Sequence, residues 1–215
     1  MIVTANQIYG TATVCGQAPR GKINDLLFDD RCWTVSNVVV RLGNWFTRRD
    51  VLVAPREIES VDWPTHRVYL ALSEERLRAA PSLESNPPVA LRKYWESQRM
   101  IAWEAYWSGL FQQMSDEGDP HLRNTRAVAG HHVFGLDSEA GRVDNFVIDD
   151  STWRIRYLVV RIGKSQDAKR VIVEPRWVDS IDWDLRGVYI HLPKVEIEHC
   201  GEFVNTQNLN LAMHK

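Results

Sequence analysis

The sequence predicts a mainly β protein made of two small β-barrels in tandem, joined by a partly helical linker rich in aromatic residues. Three observations lead to this prediction: an internal duplication, short runs of β-forming residues within each copy, and a middle segment of different character. We expect the first barrel over residues 1–80, the linker over 81–127, the second barrel over 128–202 and a C-terminal tail over 203–215.

The duplication is in register over a long stretch of the chain. Gly21–Leu72 aligns without a gap on Gly141–Leu192 at a constant offset of 120, and 18 of the 52 positions are identical. The register extends upstream to Gly10 and Gly130. A long period that occurs twice indicates two copies of one domain, because solenoid repeats are shorter and need several stacked units. We therefore expect Trp33 and Trp153, and likewise Trp63 and Trp183, to have equivalent environments.

Each copy contains about six short runs rich in Val, Ile, Tyr and Trp, which is typical of strands. In the second copy they lie near His131–Phe134, Gly141–Ile148, Trp153–Ile162, Val171–Val173, Val178–Trp183 and Val188–Leu192. The paired aspartates Asp29-Asp30 and Asp149-Asp150 fall between two runs, where Asp side chains hold turns by accepting hydrogen bonds from the local backbone. Tightly connected short strands favour a small closed barrel, because closure removes free sheet edges.

The longest predicted strand is apolar on both faces at its centre. One face carries Val38, Val40 and Leu42, and the other carries Val35 and Val39. A small barrel has one interior, so part of its outside must be covered by the other copy, by the linker or by a second chain.

The predicted linker differs in composition from both repeats. Asn86 followed by two prolines is a plausible helix start, and apolar residues then follow at helical spacing. These residues are Met100, Trp103, Trp107, Leu110 and Met114. Six aromatic residues lie in the segment: Tyr94, Trp95, Trp103, Tyr106, Trp107 and Phe111. Two interpretations stay open: the aromatic side chains pack on the barrels, or they form a dimer or partner surface.

The repeat unit resembles a PRC-barrel domain. The residues that carry the resemblance are GRVDNFVIDDSTWRIRYLVVRIG from Gly141 to Gly163, VIVEPRWVDSIDW from Val171 to Trp183, and their counterparts in the first copy. The same small barrel is found in the cytoplasmic part of the reaction-centre H subunit and in the C-terminal domain of a bacterial ribosome-maturation factor. The resemblance implies a barrel that contacts other proteins, and it implies no enzymatic activity.

Charge and composition limit the classes of partner. The chain has 26 basic and 28 acidic residues, so it lacks the surplus of Lys and Arg on which general nucleic-acid binding depends. No apolar run approaches the length of about 18 residues that a membrane span needs. The cysteines, Cys15, Cys32 and Cys200, are odd in number and form no CxxC pair, so we expect free thiols and a cytoplasmic location.

The sequence offers few residues for catalysis or metal binding. The candidates are the two aspartate pairs, His131 beside His132, and His199 beside Cys200. Adjacent residues on a strand point to opposite faces, so neighbouring histidines do not readily bind one metal ion. Paired aspartates in a turn are more often structural than Ca²⁺ ligands. We expect no enzyme, no cofactor and no metal site.

The loop that follows Gly43 differs most between the copies. It reads NWFTRRD, whereas its counterpart reads KSQDAKR. The aromatic residues of this loop either fold back on the linker or form an exposed contact for a partner. The predicted partner-binding residues, from this loop and the linker, are Trp45, Phe46, Arg48, Arg49, Trp103 and Trp107.

Two functions of different class remain. We expect a noncatalytic protein-interaction or assembly module that binds a protein partner and forms a homodimer. The alternative is a ribosome-associated or RNA-associated factor, which would need a basic face with aromatic residues. Residues 8–81 hold ten basic and nine acidic side chains, and residues 128–200 hold ten and twelve, so neither repeat favours RNA.

Overall fold

The computed structural model of the chain describes residues 1–43, 48–83, 119–163, 168–207 and 209. In chain order its elements are β1 (Ile2–Thr4), α1 (Ala5–Ile8), β2 (Ala12–Cys15), β3 (Ala18–Asp29), β4 (Thr34–Leu42), β5 (Arg49–Val53), a 3-10 turn (Pro55–Glu57), β6 (Ile58–Asp62), β7 (Arg67–Leu70), α2 (Glu74–Arg78), β8 (Leu122–Asn124), α3 (Thr125–Val128), β9 (His132–Phe134), β10 (Glu139–Asp149), β11 (Arg154–Arg161), β12 (Arg170–Val173), a second 3-10 turn (Pro175–Trp177), β13 (Val178–Asp182), β14 (Gly187–Ile190) and α4 (Lys194–Glu198). The fold is mainly β, and the six strands predicted for the second repeat are confirmed as β9 to β14.

Contacts divide the chain into two units that do not follow its linear order. The first-repeat unit consists of Thr11–Arg31 and Ser36–Asn124. The second-repeat unit consists of Met1–Gly10, Cys32–Val35 and Thr125–Lys215. Each unit therefore combines most of one repeat with the opening residues of the other.

The two units share one strand order. In the second-repeat unit the order is β13-β14-β9-β10-β11, with β12 paired to β11 and β1 paired to β10. In the first-repeat unit it is β6-β7-β2-β3-β4, with β5 paired to β4 and β8 paired to β3. The pairs β2·β7 and β9·β14 are parallel, which makes the sheet mixed.

The sheet formed by the described strands is not closed, which differs from the closed barrels that the tight connections predicted. The 3-10 turns that begin at Pro55 and Pro175 separate β5 from β6 and β12 from β13. Proline has no N–H to donate to a ladder, and each turn redirects the chain before the next strand begins. Among the described residues of each unit, β6 pairs only with β7 and β13 pairs only with β14, so neither strand closes a barrel.

Each unit takes an edge strand from the segment that precedes the other repeat. We call these strands, β1 and β8, the added strands. Ile2–Thr4 precedes the first repeat in the chain, yet it pairs antiparallel with β10, where Val3 lies opposite Ile148. Leu122–Asn124 precedes the second repeat and pairs in the same way with β3. The two strands lie 120 residues apart, so the same element of the repeat is used in the same way twice.

The predicted burial of both faces of the long strand is confirmed in β4. Val38, Val39 and Val40 are consecutive, so their side chains alternate between faces, and all three are buried. The outer face is covered in part by the added strand, because Val39 packs in a buried cluster that includes Leu122 of β8. Leu83, which follows α2, packs against the same cluster.

The second-repeat unit covers its outer face with corresponding segments. Ile2 of β1 packs with Val147 and Val159 in a buried cluster. Partly buried apolar side chains from the same unit lie against it: Tyr157, Ile172, Phe203 and Leu209. The added strand and the chain after the last helix thus supply the cover that the sequence required.

The expectation of equivalent tryptophan environments is confirmed for Trp33 and Trp153. Both side chains are buried, and both residues have left-handed backbone, with φ of 54° and 56°. Val35 N donates to Trp153 O and Ile155 N donates to Trp33 O, each at 2.8 Å. A bulky residue with positive φ is strained, and the reciprocal hydrogen bonds hold the two turns in this conformation.

Gly21 and Gly141 mark a close backbone approach that both repeats share. A Cβ atom on Gly21 would lie 2.6 Å from the carbonyl oxygen of Arg41, and a Cβ atom on Gly141 would meet the carbonyl oxygen of Arg161. Glycine is therefore required on β3 and β10 where they cross the end of the neighbouring strand.

The described helices are short. The four helices α1 to α4 contain four or five residues each. No helix in the described ranges is long and apolar enough to cross a membrane.

Candidate binding site

A cleft of about 350 Å³ opens in the first-repeat unit, between the ends of β3, β4 and β5 and the helix α2. We call it the arginine cleft. It is lined by Arg20, Leu42, Gly43, Arg49, Glu74, Leu77 and Arg78. Among the described residues that line it, three guanidinium groups and one carboxylate give a formal charge of +2, whereas the whole chain carries −2.

The helix α2 presents two of the charged side chains to the arginine cleft. It begins after Ser73, whose hydroxyl oxygen accepts a hydrogen bond from Arg76 N at 3.2 Å and caps the first turn. Leu77 is fully buried and anchors the helix. Glu74 and Arg78, four residues apart, lie on one face of the helix and form an ion pair there.

Two arginines converge on the carboxylate of Glu74. Arg78 donates from Nε at 3.0 Å and from Nη2 at 2.6 Å to Oε1. Arg20, which lies near the start of β3, places Nη2 at 2.8 Å from Oε2. One carboxylate therefore holds two guanidinium groups that come from distant parts of the repeat.

The third arginine, Arg49, is fixed by backbone groups. Its Nη1 donates to the carbonyl oxygen of Arg78 at 2.9 Å, and its Nη2 donates to that of Ala80 at 3.3 Å. The chain just beyond also pairs with β5, because Leu52 N donates to Pro81 O at 2.8 Å. These contacts orient the guanidinium group of Arg49 without using a carboxylate.

The corresponding place in the second-repeat unit has different chemistry. The counterparts of Arg20, Arg49, Glu74 and Arg78 are Ala140, Lys169, Lys194 and Glu198. Lys169 Nζ keeps the backbone contact, because it donates to Glu198 O at 2.6 Å. The acid and the base of the ion pair on the helix are exchanged, and Lys194 Nζ lies 3.8 Å from Glu198 Oε1. The three-arginine arrangement is thus specific to the first repeat.

The structure places one of the predicted partner-binding residues in the arginine cleft. Arg49 lines it, and Arg48 is exposed next to it. Trp45, Phe46, Trp103 and Trp107, the other four predicted residues, lie outside the described residues. Their role in partner binding stays a prediction.

Three residues of the arginine cleft were not predicted from the sequence: Arg20, Glu74 and Arg78. A signal was present, because each of these positions changes charge between the repeats, to Ala140, Lys194 and Glu198. All three lie just outside Gly21–Leu72, the window in which the repeats align most clearly.

The paired aspartates hold turns, as the sequence predicts. In the first repeat, Asp29 Oδ1 accepts from Arg31 N at 2.8 Å and from Arg31 Nε at 3.0 Å. The hydrogen bonds from Arg31 lower the pKa of Asp29 to about 2. The side chain of Asp29 is occupied by its own turn.

Asp149 holds the equivalent turn with different partners. Its Oδ1 accepts from Ser151 N at 3.1 Å, and its Oδ2 accepts from Arg156 Nη2 at 2.7 Å. Burial raises the pKa of Asp149, but the hydrogen bonds from Ser151 and Arg156 outweigh burial and hold the pKa well below its usual range.

Acid should destabilise the protein through these two turns. A carboxylate with a depressed folded-state pKa stabilises the fold above its unfolded pKa of about 4, and this contribution disappears as the pH falls through the folded pKa. We therefore expect the free energy of unfolding to fall between about pH 4 and about pH 2, measured by urea denaturation at a series of pH values. Asp149→Asn should flatten this dependence. Parallel pH profiles for the variant and the wild-type protein would contradict the assignment.

Asp30, unlike Asp29, contacts side chains outside its own turn, from β8 and from the residue that precedes β8. Its Oδ1 lies 2.8 Å from His121 Nδ1, and its Oδ2 accepts from Arg123 Nε at 2.6 Å. Asp30 N also donates to His121 O at 3.1 Å. This contact set fastens the added strand β8 to the end of β3.

The two adjacent histidines of the second repeat have different surroundings. His131 is buried against Trp183, whereas His132 is partly exposed and its Nδ1 lies 2.6 Å from Glu139 Oε1. This separation confirms that adjacent histidines point to different sides. Among the residues that the structure describes, no three His, Cys, Asp or Glu side chains lie close enough to hold a metal ion.

All three cysteines are free thiols. Burial raises the pKa of Cys15 and of Cys200. Both thiols are therefore protonated at neutral pH, and a protonated thiol is a poor nucleophile. His199, beside Cys200, places its Nδ1 2.6 Å from the carbonyl oxygen of Val195 rather than on the thiol.

The chain matches no protein-family model, and a search of curated proteins finds no relative at a significant level of similarity.

Proposed function

We propose that the protein is a noncatalytic protein-interaction or assembly module built from two PRC-type barrels in tandem. The observation that carries the proposal is the arginine cleft, where three arginines line one opening of the first-repeat unit. Arg is favoured at the centres of protein interfaces because its planar group makes several hydrogen bonds at once.

The repeat pattern and the strand order support the PRC-type part of the proposal. Both units use the same order of strands. In both units, the chain after the last helix also pairs with the strand that precedes the 3-10 turn, β5 or β12. Val51 of β5 pairs with Ser82, and Val171 of β12 pairs with Glu202, 120 residues later. We therefore infer two copies of an open PRC-type barrel, each protected at its edge by the chain that follows the last helix.

The chemistry of the remaining candidates favours binding over catalysis. Asp29, Asp30 and Asp149 are held by turn or strand contacts, and the thiols of Cys15 and Cys200 are protonated. Catalysis by a nucleophile needs a base beside it and a group that orients the base. The described residues bring no such set together.

We place the module in the cytoplasm, because free thiols persist in a reducing compartment and Cys32 is an exposed one. We also propose that it forms a homodimer, since the predicted partner-binding residues include aromatic side chains of the kind that anchor interfaces.

Affinity capture tests the proposed function. The immobilised full-length protein should retain a protein partner from native lysate, and a variant with Arg20→Ala and Arg49→Lys should lose it. These substitutions follow the second repeat, which has Ala140 and Lys169 at the same positions. Arg56→Ala is the matched control, because Arg56 is exposed, lies in the same unit and does not line the cleft.

Light scattering on the purified protein completes the test. A wild-type protein that stays monomeric at high micromolar concentration and retains nothing from lysate would remove the proposal. Retention that ribonuclease abolishes would instead favour the RNA-associated alternative.

A further inference from the structure

We propose that the arginine cleft binds an acidic peptide segment of a partner protein, and that Glu74 occupies the carboxylate position when the partner is absent. This inference rests on the proposed function and names the chemistry that the partner must offer.

The geometry around Glu74 shows that the cleft can hold a carboxylate. Arg78 reaches Oε1 with two nitrogen atoms, at 3.0 and 2.6 Å, and Arg20 reaches Oε2 at 2.8 Å. Charge-assisted contacts of this kind between guanidinium N–H groups and carboxylate oxygens are short and strong. The Glu74 carboxylate therefore shows where the carboxylate of a bound peptide would be held.

One carboxylate does not neutralise the arginine cleft. Arg49 is oriented by two carbonyl oxygens and has no carboxylate partner among the described residues. A guanidinium group carries five N–H donors, and the contacts of Arg20, Arg49 and Arg78 within the described residues use a minority of them. The remaining donors and the charge of +2 would attract a carboxylate from a partner. That carboxylate would either bind beside Glu74 or replace Glu74 on the arginines.

The shape of the cleft favours a short peptide segment. Its volume of about 350 Å³ lies at the lower end of ordinary ligand pockets, which range over roughly 300–1,000 Å³. Leu42, which is partly exposed, provides apolar lining beside the charged groups. An acidic residue next to an apolar residue would therefore match the lining better than a chain of phosphates, which offers no apolar group.

The second repeat supplies a natural comparison. Ala140 removes one guanidinium group, and Lys194 places a cation where the first repeat has Glu74. An ammonium group is a compact charge and lacks the planar fork that binds both carboxylate oxygens. The proposal therefore predicts one acidic-peptide site for each chain, in the first-repeat unit.

Peptide titration of the full-length protein tests the inference. The probe is a fluorescent, capped peptide of alternating Glu and Leu residues, and its matched control has Gln in place of Glu. Fluorescence anisotropy should show saturable binding of the Glu peptide, weakened by salt. The variant with Arg20→Ala and Arg49→Lys should bind about tenfold more weakly, since one guanidinium group is removed and the ammonium group that replaces the other lacks the planar fork. Arg56→Ala should bind as the wild-type protein does.

Glu74→Gln gives the sharpest result, because it distinguishes two roles of the Glu74 carboxylate: competition with the peptide for the arginines, and support of the cleft structure. Removal of the competing carboxylate should tighten peptide binding several-fold, whereas damage to the cleft would weaken it. Circular dichroism of each variant establishes that the fold is retained. Equal binding of the Glu and Gln peptides, weaker binding by Glu74→Gln, or stronger competition by an RNA oligonucleotide than by the Glu peptide would overturn the inference.

The two proposals fail in distinguishable ways. A partner that is captured from lysate but is not displaced by the Glu peptide would overturn the acidic-peptide inference and leave the interaction module standing. Specific peptide binding without any partner in lysate would support the chemistry of the cleft and count against the proposed function.

Discussion

A chain that lacks Met1–Gly10 is expected to lose the folded second-repeat unit. Ile2, Val3 and Ile8 are at most 3% exposed in that unit. Burial of each such side chain contributes about 1.5–3 kcal/mol, and an entire domain is typically stable by about 5–15 kcal/mol. The deletion also leaves one edge of β10 without its partner strand β1. The second-repeat unit should therefore unfold or aggregate at room temperature.

Thermal unfolding followed by circular dichroism measures this effect, and a peptide provides the control. A synthetic peptide of residues 1–10 should restore the transition of the truncated chain when it is added in trans, because it supplies β1 and α1. The same peptide with Ile2→Asp and Ile8→Asp should fail to restore it. A truncated chain that melts as the full-length protein does would show that the added strand is not needed.

Asp30→Asn is expected to destabilise the first-repeat unit by about 3 kcal/mol, which is typical when one partner of a buried ion pair is removed. Asp30 and Arg123 each have side chains only 12% exposed, and their contact is short, at 2.6 Å. Asparagine preserves the shape of the side chain but leaves the Arg123 guanidinium group without this carboxylate. Urea denaturation measures the loss.

The matched control for Asp30→Asn comes from the other repeat. Val3 is the counterpart of Arg123 and is buried in the second-repeat unit. The double variant Asp30→Asn with Arg123→Val should therefore recover part of the lost stability, because it removes the buried cation together with its anion. Simple addition of the two single effects would contradict a direct interaction between these side chains.

Local pattern was enough to predict the strands and their turns. The runs around Trp153–Ile162 and Val171–Val173 became β11 and β12, and the aspartate pairs became turn residues. Strand periodicity and turn chemistry depend on neighbouring residues, so a single sequence reveals them. The two apolar faces around Val39 also followed from alternation along one strand.

The added strands could not be predicted in the same way. Upstream of Gly10 and Gly130, the repeats share only similar residues such as Ile2 and Leu122, with no identity to mark a common element. The pairing of Thr4 with Val147 joins residues far apart in the chain, which local periodicity does not encode. Closure of the barrel was predicted wrongly for a related reason: local pattern gives strands, but it does not show which end strands meet.

The candidate site was partly predictable. Arg49 was found because its loop differs between the copies, whereas Arg20, Glu74 and Arg78 join it only through the fold. A comparison of charge at every equivalent position, rather than of identity within the aligned window, would have found Arg20, Glu74 and Arg78, since each of them changes charge between the repeats.

The added strands impose an order on folding during synthesis. When the ribosome has produced the first repeat, the edge of β3 still lacks β8, because Leu122–Asn124 has not yet been translated. Met1–Gly10 is translated long before its partner strand β10, which is made more than a hundred residues later. Such long-range pairings form slowly and leave apolar surface exposed in the meantime. The nascent chain is therefore most exposed to aggregation and to chaperone binding between the translation of Gly10 and that of Asp149.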